Sequence, residues 1–239
     1  MNMNRLFRCI CLMVVCCAGH VAAIGADSDD VIRVDWSPLL TDNVGWNITS
    51  GGVAAGFVNA VGCDAVNVNM GGSWQFSWLN VVGAKYNNGH GQRFTVGLGI
   101  DWRNYKLEGG THFVADGNVI TTETDAANVK FKSSRLKVFS IELPVTVRQR
   151  IFKRCDVFAG VVTNFNVRAS LENVWEQNGD KMVESRTKKL HQNVVTADVL
   201  AGVKYRGVGY YVRYSPFNVI SKEHGPEFKT LSMGVVLGL

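Results

Sequence analysis

The sequence predicts an all-β protein: an antiparallel, up-and-down transmembrane β-barrel of about eight strands, preceded by a cleaved signal peptide. Three observations carry this reading: an N-terminal export signal, successive segments with period-two alternation, and connections that alternate between short and long. Arg5 and Arg8 precede an apolar run from Cys9 to Ala18, and Val21-Ala22-Ala23 supplies small residues suited to cleavage. The run falls short of the ~20 apolar residues that a spanning helix needs. It also ends before the polar Asp27-Ser28-Asp29-Asp30, so residues 1–23 read as a secretory signal peptide. Cleavage after Ala23 is favoured, with a site near Ala26 second. Residues 24–43 then form a periplasmic N-terminal segment and residues 44–239 the barrel.

Composition alone would describe a soluble chain, with 46% apolar and 19% charged residues and a mean hydropathy near zero. After the signal, apolar residues never accumulate into a second helical span, so any membrane crossing must use strands. Without the two signal arginines, 25 − 2 = 23 basic residues face 20 acidic ones, a balance of +3. That is too weak to imply nucleic acid. Cys9, Cys11, Cys16 and Cys17 also leave with the signal. The remaining Cys63 and Cys155 fall at opposite barrel ends, too far apart to bond.

The strands follow in order. The first, around Trp46 to Ala60, is Gly-rich and ambiguous in its facing. In the second, Trp74, Phe76, Trp78, Val82 and Tyr86 share a face. In the third, Phe94, Val96, Leu98, Ile100 and Trp102 oppose Arg93, Thr95, Gly97, Gly99, Asp101 and Arg103. The fourth sets Phe139, Ile141, Leu143, Val145 and Val147 against Ser140, Glu142, Pro144, Thr146 and Arg148. In the fifth, Val157, Ala159, Val161, Phe165, Val167 and Leu171 oppose Asp156, Gly160, Asn164, Asn166 and Arg168. The alternation returns over 195–205, 208–215 and 231–239. Period two over this many segments marks half-buried strands.

Short connections are expected near 87–90, 152–154 and 206–207, and long ones over 62–72, 109–134, 173–189 and 216–227. Outer-membrane barrels keep short turns on the periplasmic side and long loops outside. The apolar face should then meet lipid, with Trp74, Trp78, Trp102, Phe139, Tyr205 and Tyr210 outward or in the interfacial girdles. The other face carries Arg93, Asp101, Arg103, Glu142, Arg148, Arg168, Asp198, Lys204 and Arg213. An eight-stranded barrel is just wide enough to be filled by side chains, so these charges should pair and plug the lumen, with Glu142 as hub. Pro144 removes a ladder donor and should disrupt pairing locally, at a bulge.

At Ser140-Ile141-Glu142-Leu143-Pro144 and Asp156-Val157-Phe158-Ala159-Gly160, the chain resembles the small outer-membrane barrel family of Bacteroidota that includes PorT-like proteins. The resemblance continues at Leu98-Gly99-Ile100-Asp101-Trp102-Arg103, at Tyr214-Ser215-Pro216-Phe217 and at Leu231-Ser232-Met233-Gly234. It implies a fold and an outer-membrane address, with lipid and the barrel assembly machinery as partners. Members usually end in an aromatic residue, whereas this chain ends in Leu239.

No motif specifies a reaction. His112, His191 and His224 fall in expected outer loops near Asp116, Glu184, Glu223 and Glu227, but their spacing fits no compact metal motif. No Gly-x-Ser-x-Gly elbow is present. The expected role is non-enzymatic and needs no cofactor: a membrane scaffold or surface interaction module, touching a surface or secretion-associated protein through Gly109 to Ser134 and Asn173 to Lys189. A narrow pore is the alternative, and a barrel-borne enzyme with a loop-histidine site is the second alternative.

Overall fold

The computed structural model describes residues 44–62, 66–116, 119–124, 131–177, 180–187 and 190–239. The expected signal peptide, its cleavage site at Ala23, the segment 24–43 and Cys63 lie outside these residues. Eleven strands follow in chain order: β1 Gly45–Val61, β2 Trp74–Asn87, β3 Gln92–Lys106, β4 Thr111–Asp116, β5 Val119–Thr124 and β6 Phe131–Phe152, then β7 Cys155–Gln177, β8 Asp180–Arg186, β9 Val195–Tyr205, β10 Val208–Ser215 and β11 Lys229–Leu237. Eight of them close a ring, β1-β2-β3-β6-β7-β9-β10-β11, with β11 pairing back onto β1. Each ring strand runs antiparallel to the next, so the fold is the up-and-down barrel that the alternation predicts.

The three extra strands occupy connections read from the sequence as irregular. β4 and β5 form a hairpin between β3 and β6, and β8 extends β7 past the ring. All long connections lie at one end, the loop end. The tight links 87–92, 152–155 and 205–208 lie at the other, the turn end.

Closure depends on close backbone approach at one pair. Gly56 faces Gly234 across the β1–β11 seam, and a Cβ on Gly234 would lie 2.4 Å from the Gly56 Cα. At Pro144 the β3–β6 ladder lapses between Val96↔Val145 and Gly99↔Glu142, as a missing N–H requires. The expected bulge is not there, because the register is the same on both sides of the gap. Bulges fall instead between Trp78 and Val82 and between Phe139 and Ser140, the second made by the one extra residue Val167 of β7.

Alternation sorts the side chains. Every ring strand contributes large apolar residues to the exposed outer surface, from Phe57 on β1 and Val82 on β2 to Tyr210 on β10 and Val235 on β11. The inner face forms four stacked layers. At the loop end Val58, Tyr105, Leu136, Val138, Ala169 and Leu171 meet loop residues including Phe113, Ile120, Leu190, Ile220 and Phe228 in an apolar cap. Phe113 and Ile120 bring the β4–β5 hairpin into this cap. The hairpin is pinned there by Ser134 Oγ, which accepts from Phe113 N at 2.9 Å, and by Asn173 Nδ2, which donates to Phe113 O at 2.8 Å. Below the cap lies a charged layer, then a second apolar layer of Ala54, Leu79, Phe158, Val162, Leu200, Tyr211 and Val236. A basic mouth closes the turn end.

Candidate functional site

The charged layer is the most constrained polar arrangement among the described residues. Asp101 and Arg103 reach it from β3, Glu142 from β6, Asn164 from β7, Asp198 from β9 and Arg213 from β10, each on the inward parity of its strand. Arg213 joins the most groups. Its Nε donates to Asp198 Oδ2 at 2.7 Å, one terminal nitrogen to Glu142 Oε2 at 3.0 Å and the other to Asn164 Oδ1 at 2.6 Å. Asp101 Oδ1 lies 3.7 Å from the same guanidinium. Arg103 donates to Asp101 Oδ2 at 2.6 Å and to Asp198 Oδ2 at 2.5 Å. Neutral donors add to these contacts: Gln75 Nε2 to Asp101 at 2.6 Å, Ser77 Oγ to Glu142 at 2.6 Å and Asn164 Nδ2 to Asp198 at 2.9 Å.

Two guanidiniums therefore hold three carboxylates, all nearly inaccessible to water: Glu142 is 0% and Asp101 and Asp198 are 1% exposed. A buried charge without partners would cost several kcal/mol, and geometry of this kind is what makes such a layer tolerable. The planar fork of arginine suits it, since one side chain can bridge three acceptors.

The sequence expectation is corrected here in three respects. The hub is Arg213, because its five donors can serve several acceptors while Glu142 accepts from only Ser77 and Arg213. The charges do not form one plug: Arg93, Arg148 and Lys204 sit in the basic mouth, separated from Glu142 by the second apolar layer. Arg168 does not enter the lumen at all. The bulge at Val167 reverses the parity of β7, so Arg168 pairs with outward-facing Phe139 and is exposed, while Ala169 and Leu171 turn inward into the cap. An arginine beside the aromatic pair Trp102 and Phe139, whose rings meet edge-on at 5.6 Å, can lay its stem on the apolar surface and extend its head to polar surroundings.

Most of the expected outward aromatics lie on the outer surface. Trp74 is 43%, Tyr205 53% and Tyr210 64% exposed, and Trp102 and Phe139 are partly exposed. Trp78 is a correction. It occupies the outward row opposite Val53 and Ile100 yet is 6% exposed, and its indole N–H has no partner. The adjoining bulge sets the carbonyls of Trp78 and Leu79 over Gly99, where a Cβ would lie 2.4 Å from both oxygens.

The loop histidines come together only in part. His191 and His224 stack at 3.8 Å, whereas His112 stacks on Phe131. Among the described residues no group of three or more His, Cys, Asp or Glu side chains could hold a metal ion. Cys155 at the turn end is a free thiol.

No family model matches the sequence, and no curated protein matches it. Among solved structures, the chain is similar to Ail, the attachment invasion locus protein of Yersinia pestis, at 8% identity and a TM-score of 0.35, over 82% of this chain and 99% of that one. A second structure of Ail, in complex with the heparin analogue sucrose octasulfate, matches over the same shares at 10% identity and a TM-score of 0.37.

Several residues of the layered lumen were not singled out from sequence. Gln75 and Ser77 are ordinary polar residues until the register sets them against carboxylates, and Asn164 is placed inward by alternation without its partner Asp198. Lys85, in the basic mouth, could have been found, since it lies between outward Ala84 and Tyr86 on the inward parity of β2.

Proposed function

We propose that the chain is an outer-membrane β-barrel protein with a closed lumen, acting as a membrane scaffold or surface interaction module. The observation that carries this reading is the inversion of its surface. In the isolated chain Tyr210 is 64%, Val167 59%, Val199 54% and Phe57 53% exposed, while Glu142, Asp101, Asp198 and Arg213 are at most 2% exposed. Water as the outer solvent would favour the reverse arrangement, and lipid favours this one. Aromatic rows support it: Trp46, Tyr86 and Phe94 align at the turn end, and Phe76, Trp102 and Phe139 toward the loop end. From Phe94 to Trp102 the chain advances about 27 Å along β3, or roughly 20 Å along the axis at a tilt near 40°. That is close to the ~25 Å apolar band of such barrels.

The interaction surface of this reading is the loop end, where the β4–β5 hairpin and the projecting β6–β7–β8 sheet replace irregular loops. Its partner is a surface or secretion-associated protein. The lipid bilayer and the barrel assembly machinery are partners by the same reading, and nucleic acid is not. The short motifs around Glu142 and Asp156 support placing the chain among PorT-like barrels. The reading assigns it no reaction.

Membrane fractionation with protease shaving of intact cells tests the proposal. The chain should enter the outer-membrane fraction and be cut within 111–124 or 180–186. A processed chain that stays soluble and monomeric without detergent would overturn it.

A further inference from the structure

On the outer wall, one row of paired residues crosses β6, β7, β9 and β10: Val147, Ala159, Ala201 and Val212. All four are exposed, and the two in the middle are alanines. The wall is therefore hollowed along the β7–β9 seam, in a shallow depression of about 580 Å³. Val147 and Val212 flank it, and the paired Val157 and Val203 continue it toward the turn end. Among the described residues Gln149 is the one polar side chain of its lining.

The seam ends at cations. Beyond Val157 and Val203 the next outward row is Phe152, Cys155, Tyr205 and Val208. A bulge at Ile151 sets Phe152 opposite Cys155, and Phe152 is 70% exposed. The chain then turns through Lys153 and Arg154 on one side of the seam and through Arg206 on the other, all three exposed. The two turns are joined by Arg206 N, which donates to Arg154 O at 3.1 Å. The Arg206 guanidinium lies 5.6 Å from the centre of the Tyr205 ring. Asp156 is the one acid in 149–156 and 204–208, and Arg148 and Arg150 already share it. Among the described residues no ion pair engages Lys153, Arg154 or Arg206.

We propose that this seam holds a glycerophospholipid with an anionic headgroup, an acyl chain lying in the depression and the phosphate against Lys153, Arg154 and Arg206. The inference rests on the outer-membrane reading. The depression alone would suit any apolar occupant and the cations alone any anion, but an amphiphile has both, in this order along one seam. Ala159 lies four residues from Cys155, about 13 Å along the strand, so one lipid can span the two parts. Phe152 and Tyr205 stand between them, at the level where aromatic residues mark the edge of the hydrocarbon, and cations just beyond that level attract anionic headgroups. A second copy in the same membrane would cover the depression only by setting these cations beside their own equivalents, which like charge opposes.

Spin-labelled lipid tests the site. The chain is refolded into phosphatidylcholine vesicles containing a trace of phosphatidylglycerol or of phosphatidylcholine, each labelled on an acyl chain, and electron spin resonance measures the lipid immobilised on the protein. Phosphatidylglycerol should be held about fivefold more strongly, the effect of roughly one cation near the surface. The preference should fall within about twofold for Lys153→Gln combined with Arg154→Gln, and for Ala201→Leu, which fills the depression. Lys222→Gln, at the loop end, should leave it unchanged. Should the double variant fail to fold, Ala201→Leu and Arg206→Gln decide. Immobilised lipid without preference, or a preference that these variants leave intact, overturns the site while the outer-membrane reading stands. Absence of any immobilised lipid overturns that reading and the site with it. A dimer of the unaltered chain that Ala201→Leu converts to a monomer, measured by sedimentation in detergent, also overturns the site, because the occupant is then a second copy.

Discussion

At the scale of single residues, Arg213 and Glu142 make different predictions although they touch. Arg213→Met leaves Asp198 and Glu142 buried without the guanidinium that bridges them, and a stranded buried charge costs about 3–5 kcal/mol. Glu142→Gln keeps an oxygen for Arg213 and removes one of three negative charges held by two guanidiniums. It should cost no more than about 1.5 kcal/mol. Urea unfolding of both variants in lipid vesicles, followed by heat-modifiable gel migration, gives the ranking. A larger loss for Glu142→Gln would return the hub to β6. The sequence could place Glu142 and Arg213 inside because each interrupts an apolar alternation. It could not order them, since partner choice depends on which strands are neighbours and how far each is displaced along the sheet.

The ring strands themselves were legible, and so, apart from the Gly-rich first strand, was the division of their faces, because period two is local and survives any register. β9 and β10 fall on the segments 195–205 and 208–215 that alternation delimits. Legibility failed at the β7 bulge, where one extra residue reverses parity without changing composition. Arg168 moved outside and Leu171 inside for this reason alone. β4, β5 and β8 were missed because their sequences, such as Val119-Ile120-Thr121-Thr122-Glu123-Thr124, are too short and polar to alternate clearly. The bulge of β2 supplies a prediction for an element. Gly99→Ala puts a methyl 2.4 Å from two carbonyl oxygens, so the β2 backbone must move, at a cost of about 1–3 kcal/mol. A lowered urea midpoint with changed Trp78 fluorescence is expected. An unaltered midpoint would mean that the bulge tolerates a side chain beneath it.

For the molecule as a whole, the inverted surface and the layered interior each yield a test. Val199 faces outward at mid-strand on β9, 54% exposed, and Val199→Arg should cost about 2–4 kcal/mol in vesicles. If the same change is neutral there, lipid is not what that face meets. The interior should pass little current in a planar bilayer. Between the two ends the lumen is crossed by Tyr105, Glu142 and Val162, each 0% exposed, and a void of about 10 Å³ lies between the charged and apolar layers. Replacing the β4–β5 hairpin with a Gly-Ser linker should not raise conductance, because the charged layer still blocks the path. The unequal heights of the wall have a separate consequence. β6 and β7 run 22 and 23 residues, whereas β10 and β11 run 8 and 9, so the rim is a parapet on one flank and a low sill on the other. On the proposed surface-interaction reading, a large partner would be met broadside from a single compass direction, by the flank that β6 and β7 raise.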